Sequence, residues 1–94
     1  KNNLQISDTE IVSEGKDLTR FFSFGELRIL KYLNEVKEVV SREVLGKLFW
    51  QEKVDWEYSD WALDAIVSRL RKKILRLGLP IVITTRRGKG YELR

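Results

Sequence analysis

The 94-residue chain has no cysteine, no histidine and no methionine, and a single proline, Pro80. Without cysteine there is no disulfide framework and no cysteine-based zinc site. Without histidine or cysteine, His-based triads and Cys nucleophiles are excluded. Carboxylate or lysine chemistry would be the remaining route to catalysis, and no convergent set of such residues is visible, so the chain does not read as an enzyme. No apolar run approaches the length of a membrane span, and no signal-peptide pattern opens the chain. No membrane partner is therefore expected. The lack of cysteine suits a reducing cytoplasm, and a cytoplasmic location is expected. With no methionine, Lys1 does not read as a natural start, and the sequence reads as a piece of a longer protein. No cofactor is expected either.

A hydrophobic fraction of 43% is enough for one compact core, and the length fits one domain. The net charge of +4 conceals a division. Residues 1–60 carry 9 Lys/Arg and 12 Asp/Glu, a balance of −3, whereas residues 61–94 carry 9 Lys/Arg and 2 Asp/Glu, a balance of +7. A segregated basic half is the electrostatic footprint of a surface for a polyanion.

Short strand signals come first: "LQIS", "EIVS" and "DLTRF", separated by the turn-formers Ser7-Asp8 and Gly15-Lys16. In "SFGE", Ser23 and Glu26 have capping-box spacing, and Leu27, Leu30 and Leu33 continue at helical intervals, predicting a helix to about Asn34. Ser41 opens a second helix, with Glu43 near its positive end and Leu45, Leu48 and Phe49 on one face. Gly46 inside it either lets helices approach closely or is a tolerated defect costing about 1 kcal/mol. "QEKVDWEY" breaks the periodicity and reads as a loop. The longest helix runs over about 60–77 and is stopped by Gly78 and Pro80. "IVITT", the turn "RRGKG" and "YELR" then form a hairpin.

The long helix has two faces. Leu63, Val67, Leu70, Ile74 and Leu77 recur at steps of four and three and form a buried stripe. The opposite side carries Trp61, Ala62, Ala65, Arg69, Lys72, Lys73 and Arg76, with Arg71 on a flank near the core edge. Cations late in a helix favour its macrodipole, but that does not account for Arg69 in mid-helix or for the alanines. The major groove admits an α-helix, and Arg can bond guanine there with two hydrogen bonds.

Three helices followed by a hairpin, behind a short antiparallel sheet, give an α+β, winged helix-turn-helix order. The segments "SFGELRILKYL", "VVSREVLGKLFW", "SRLRKKI" and "TRRGKGYEL" resemble successive signatures of the OmpR/PhoB-type winged-helix domain, the DNA-binding half of many bacterial response regulators in two-component systems. The resemblance runs from about Phe22 to Leu93. It implies one domain over 1–94, with a small sheet over 1–22, a three-helix core over 23–78 and a hairpin wing over 79–94. It implies a transcription regulator that binds double-stranded DNA, with the third helix in the major groove and the wing at the adjacent minor groove. By this resemblance Arg69 is a base contact, Arg71 a phosphate contact, and Trp50 packs toward the DNA backbone. Arg87 reaches into the minor groove, Tyr91 is the wing tyrosine, and Gly88 and Gly90 are the wing glycines. The interface so expected comprises Trp50, Trp61, Ala62, Ala65, Ile66, Arg69, Arg71, Lys72, Lys73, Thr85, Arg87, Gly88, Lys89 and Tyr91.

The sequence departs from the family at the start of the third helix. "WALDAIV" puts Trp61, Ala65, Ile66 and Ser68 where basic or polar DNA contacts are frequent, and Gln51 replaces a common glycine. Few hydrogen-bonding side chains remain there for base readout, although Ala65 or Ile66 could meet a thymine methyl. Phosphate and shape terms are expected to dominate affinity, with Arg69 the main polar reader. In the family, the loop before the third helix can contact RNA polymerase, and Glu52, Asp55, Trp56, Glu57 and Tyr58 would suit a basic partner. A solvated acidic loop with one or two aromatics folded onto the core is the plainer reading. A receiver domain ahead of Lys1 is a further partner that the resemblance implies. The rival to DNA binding is a winged-helix protein–protein module with weak or no DNA binding, which the apolar start of the third helix would serve.

Overall fold

The computed structural model describes residues 3–51 and 60–94. Strands β1 (Leu4–Ile6), β2 (Ile11–Ser13) and β3 (Lys16–Asp17) form an antiparallel sheet in that order. Between β1 and β2, Ser7 Oγ accepts from the amides of Thr9 and Glu10, so one side chain satisfies the turn. Between β2 and β3 the turn is Glu14-Gly15, one residue earlier than the sequence suggests, and both residues have positive φ. That conformation matches the twist of a two-residue hairpin. "DLTRF" is not a strand beyond Asp17: Thr19–Phe21 is a 3-10 turn. The Thr19 hydroxyl accepts from the amide of Ile11, which closes this turn onto β2.

Helix α1 (Phe24–Val36) begins at the predicted capping box, with both reciprocal bonds formed between Ser23 and Glu26. It runs two residues past Asn34 and ends where Lys37 adopts a left-handed conformation. Helix α2 (Arg42–Trp50) is capped by the Ser41 side chain, which accepts from the amide of Val44. The guanidinium of Arg28 donates to the carbonyls of Leu48 and Phe49, binding α1 to the C-terminus of α2. That is the end of a helix at which a cation is favoured. Helices α1 and α2 approach closely at Gly25, and Gly46 of α2 is buried. A Cβ on Gly25 would lie 2.8 Å from the Phe49 ring.

Helix α3 (Asp60–Leu77) supplies Leu63, Ile66, Val67, Leu70 and Ile74 to a core shared with Leu27, Ile29, Leu30, Leu33 and Leu45. Leu77 is only partly buried at the rim of that core. The wing is β4 (Ile83–Arg86) paired antiparallel with β5 (Gly90–Leu93), so Arg86 and Gly90 belong to the ladder and not to the turn. β5 also exchanges both backbone bonds between Tyr91 and Val40, just before α2. The hairpin is thereby fixed to the helical core along one edge. The architecture is the α+β winged helix-turn-helix.

Candidate nucleic-acid interface

With about 100° between successive residues, α3 divides into sectors whose surroundings differ. Leu63, Ile66, Val67, Leu70 and Ile74 face the core. Asp64 and Arg71, two turns apart, face the wing. Arg71 Nε donates to the carbonyl of Ile83 at 3.0 Å, and its Nη2 donates to Thr85 Oγ1 at 2.5 Å. Lys73 turns toward α1, where its ammonium lies 2.7 Å from Glu26 Oε1 and over the Phe22 ring. What remains outward is Trp61, Ala65, Ser68, Arg69, Lys72, Leu75 and Arg76. Ala62 and Ala65 are half-buried, so neither lies within the core.

Asp64 is the centre of a cluster that the sequence does not announce. It accepts from the Tyr91 hydroxyl and, at 3.0 Å, from Arg42 Nε. The guanidinium carbons of Arg42 and Arg71 lie 5.3 and 5.6 Å from the centroid of the Tyr91 ring. Burial alone would push the Asp64 carboxyl upward. The bonds from Tyr91 and Arg42, with the charges of Arg42 and Arg71, outweigh it and hold the pKa below its ordinary value. The same cluster raises the Tyr91 phenol, first through burial and then through its bond to Asp64. Arg42 is raised chiefly by its hydrogen bond to Asp64. One signal of this cluster was present in the sequence. A cation at the first position of α2 opposes the helix macrodipole, and the pairing of Arg42 with Asp64 offsets that cost.

These placements correct several expected contacts. Ile66 is 4% exposed and packs in the core, so its side chain cannot meet a thymine methyl. Lys73 is committed to Glu26, because a buried carboxylate needs a partner. Tyr91 is 3% exposed, and its hydroxyl is used inside the fold. Gly90 is required by the interior: a Cβ there would stand 2.0 Å from the Val40 carbonyl oxygen. Gly88, by contrast, faces open space with φ of 75°.

The cations at the tip of the chain divide in the same way. Arg86 pairs across the wing with Glu92. Arg87 and Lys89 are exposed at the turn. Among the described residues, Arg69, Lys72, Arg76, Arg87 and Lys89 form no salt bridge. Trp50 is half-buried and meets Phe49 edge to face at 5.0 Å. The expected polymerase-contact residues Glu52, Asp55, Trp56, Glu57 and Tyr58 lie outside the described residues. Behind the outer face, an apolar groove of about 460 Å³ separates the end of α3 from β4, lined by Ile74, Leu75, Leu79, Ile81, Val82 and Ile83. Among the described residues no group of three or more metal-binding side chains occurs, and no helix is long and apolar enough to cross a membrane.

Residues 22–93 match the family described as "Transcriptional regulatory protein, C terminal", and the chain belongs to it. It is 35% identical over 92 residues to a transcriptional regulatory protein of Bacillus subtilis (strain 168), YvcP, covering 97% of this chain and 38% of that protein. It is 38% identical over 76 residues to the response regulator protein GraR of Staphylococcus aureus (strain MRSA252), covering 80% and 33%. The chain thus spans about a third of the length of these curated relatives. Its fold is that of the response regulator AdeR DNA-binding domain, solved in complex with an intercistronic region. The TM-score is 0.75 at 23% identity, over 99% of this chain and 95% of that one.

Proposed function

We propose that this member of the transcriptional regulatory C-terminal family binds double-stranded DNA sequence-specifically as a bacterial transcriptional regulator, with α3 in the major groove and Arg87 of the wing in the adjacent minor groove. One observation carries the reading. Arg69, Lys72 and Arg76 on the outer face of α3 form no salt bridge among the described residues, nor do Arg87 and Lys89 at the tip of a hairpin that Arg71 and Tyr91 bind to that same helix. Every other cation on α3 has an internal partner: Lys73 has Glu26, and Arg71 has the wing. Exposed like charges repel one another, and a polyanion removes that cost.

In this reading Lys72, Arg76 and Lys89 neutralise phosphates, and Arg69 bonds a guanine edge. Arg71 positions the wing and reaches the backbone only with the donors that Ile83 and Thr85 leave free. Gly88 lets the turn lie close to the backbone while Arg87 enters a narrow groove of enhanced negative potential. In the same reading the parent protein is a cytoplasmic response regulator in which a receiver domain precedes this single domain. A contact of residues 52–58 with RNA polymerase belongs to the same reading.

The test is selection of bound sequences from a random duplex pool at two salt concentrations. A common motif should emerge, and affinity should fall with salt at a log–log slope of about −0.9 for each of about four to six phosphates. The second reading, a protein–protein module, is favoured by the apolar groove, where Leu75 is 83% and Val82 61% exposed. Weak binding with a flat salt response would point to that reading instead.

A further inference from the structure

Trp61 is 80% exposed on the outer face of α3, at its N-terminal end. An indole left in water forfeits the gain of burying a large apolar side chain, and Trp is among the residues that most reward burial in an interface. It is not part of the apolar groove near Leu75 and Val82, which lies toward the other end of the helix. Its neighbours one and two turns on are the half-buried Ala65 and the exposed Arg69, with Ser68 and Lys72 beside them. Along the outer face the N-terminal end is apolar at Trp61 and Ala65, and Arg69, Lys72 and Arg76 follow, with the exposed Leu75 at the edge shared with the groove. Charge complementarity along that face selects duplex DNA as the occupant. The apolar end then needs an apolar feature of the duplex. The major groove offers one, the C5-methyl of thymine.

We infer that Trp61, with Ala65 behind it, reads thymine methyl groups in the major groove, so that the half-site of this protein carries a thymine a few base pairs away from the guanine bonded by Arg69. The inference rests on the proposed DNA binding and adds the base class and the residues that select it. Trp61 and Arg69 are eight residues apart, about 12 Å along the helix axis. That separation corresponds to about three or four base pairs at about 3.4 Å each. Ala65, lacking a long side chain, leaves the room for the helix to approach the base edges between them.

Deoxyuridine removes only the methyl, and it leaves the minor groove that Arg87 would enter unchanged. On the selected duplex, replacing thymines by deoxyuridine should weaken the wild-type protein about fourfold for each methyl that Trp61 covers. The Trp61→Ala protein should bind the thymine duplex more weakly than wild type, and thymine and deoxyuridine duplexes equally. Both should keep the same salt slope, because no phosphate contact changes. Equal wild-type affinity for the two duplexes, with the salt slope intact, overturns the thymine readout while leaving DNA binding in place. Loss of salt-dependent duplex binding altogether overturns both. The wild-type comparison needs no variant, so the thymine readout stands or falls on it even where Trp61→Ala folds poorly.

Discussion

The hydroxyl of Tyr91 donates to Oδ1 of Asp64, joining the wing to the N-terminal part of α3 across 27 residues of sequence. The same carboxylate accepts from Arg42 at the start of α2, so three elements meet at one side chain. The relative placement of α2, α3 and the hairpin is thereby fixed at a buried ring and not at the exposed turn. A two-groove reader needs this, because a helix and a wing that moved independently would lose the geometric match between grooves.

Tyr91→Phe keeps the ring between Arg42 and Arg71 and removes the bond to Asp64. It should lower stability by about 1 kcal/mol, the size of one hydrogen bond partly exposed to solvent. Urea unfolding at neutral pH measures this, and an unchanged midpoint would mean that water replaces the hydroxyl without loss.

Asp64 also sets a pH dependence. Folding holds its pKa below the ordinary aspartate value of 3.8. A carboxylate depressed in this way contributes stability above its unfolded pKa, and that contribution is lost as pH falls through the folded one. Stability of the wild type should therefore fall more steeply below about pH 4 than that of Asp64→Asn. Parallel acid unfolding curves would show that the cluster carries no net linkage.

Two glycines of the wing should respond differently to alanine. At Gly90 the new Cβ would stand 2.0 Å from the Val40 carbonyl oxygen, and φ is 144°. The pairing of β5 with Val40 must then open, at a cost of about 3 kcal/mol. Gly88→Ala meets nothing within 4 Å, and only the φ of 75° penalises it, by about 1 kcal/mol. Thermal unfolding of the two variants checks the order, and equal losses would contradict the contact with Val40.

Gln51 closes α2 with φ of 50° and ψ of −116°, a region that side chains rarely adopt. Gln51→Gly should raise stability by about 1 kcal/mol, the relieved strain exceeding the added freedom of the unfolded chain. Calorimetry of the variant tests this, and a lower transition temperature would show that the glutamine side chain contributes more than the strain costs.

The exposed cations should separate on DNA. Arg87→Ala should weaken binding most on sites with A·T-rich flanks, where the minor groove is narrow. Equal losses on all flanks would count against insertion into that groove. Arg69→Ala should cost about 1–3 kcal/mol on the selected site and relax discrimination at one guanine. Titrations against single-base substitutions read this out directly.

The helices were legible because their signals are local. The Ser23–Glu26 box and the Ser41 cap bond within three residues, and the stripe from Leu63 to Ile74 follows from the helical repeat. The last turn of α1 was not legible, because no glycine or proline marks its end and Lys37 takes a left-handed conformation without one. The third strand signal failed for a similar reason: Thr19 is drawn into a 3-10 turn by its bond to Ile11, a contact eight residues distant.

The sequence by itself determined the order of elements, the segregation of charge into residues 61–94 and the exclusion of cysteine and histidine chemistry. Those follow from residue type and short-range spacing. Which cations remain free was decided only by the tertiary structure. Lys73 meets Glu26 across 47 residues, and Arg71 meets Thr85 across 14. Ile66 lies on the core side of α3 and Trp61 on the outside, though both read as apolar positions of one short segment. The physical reason is the same in each case. A side chain's charge and size are written locally, but whether it is spent inside the fold depends on what the packing of the other helices and the wing places beside it.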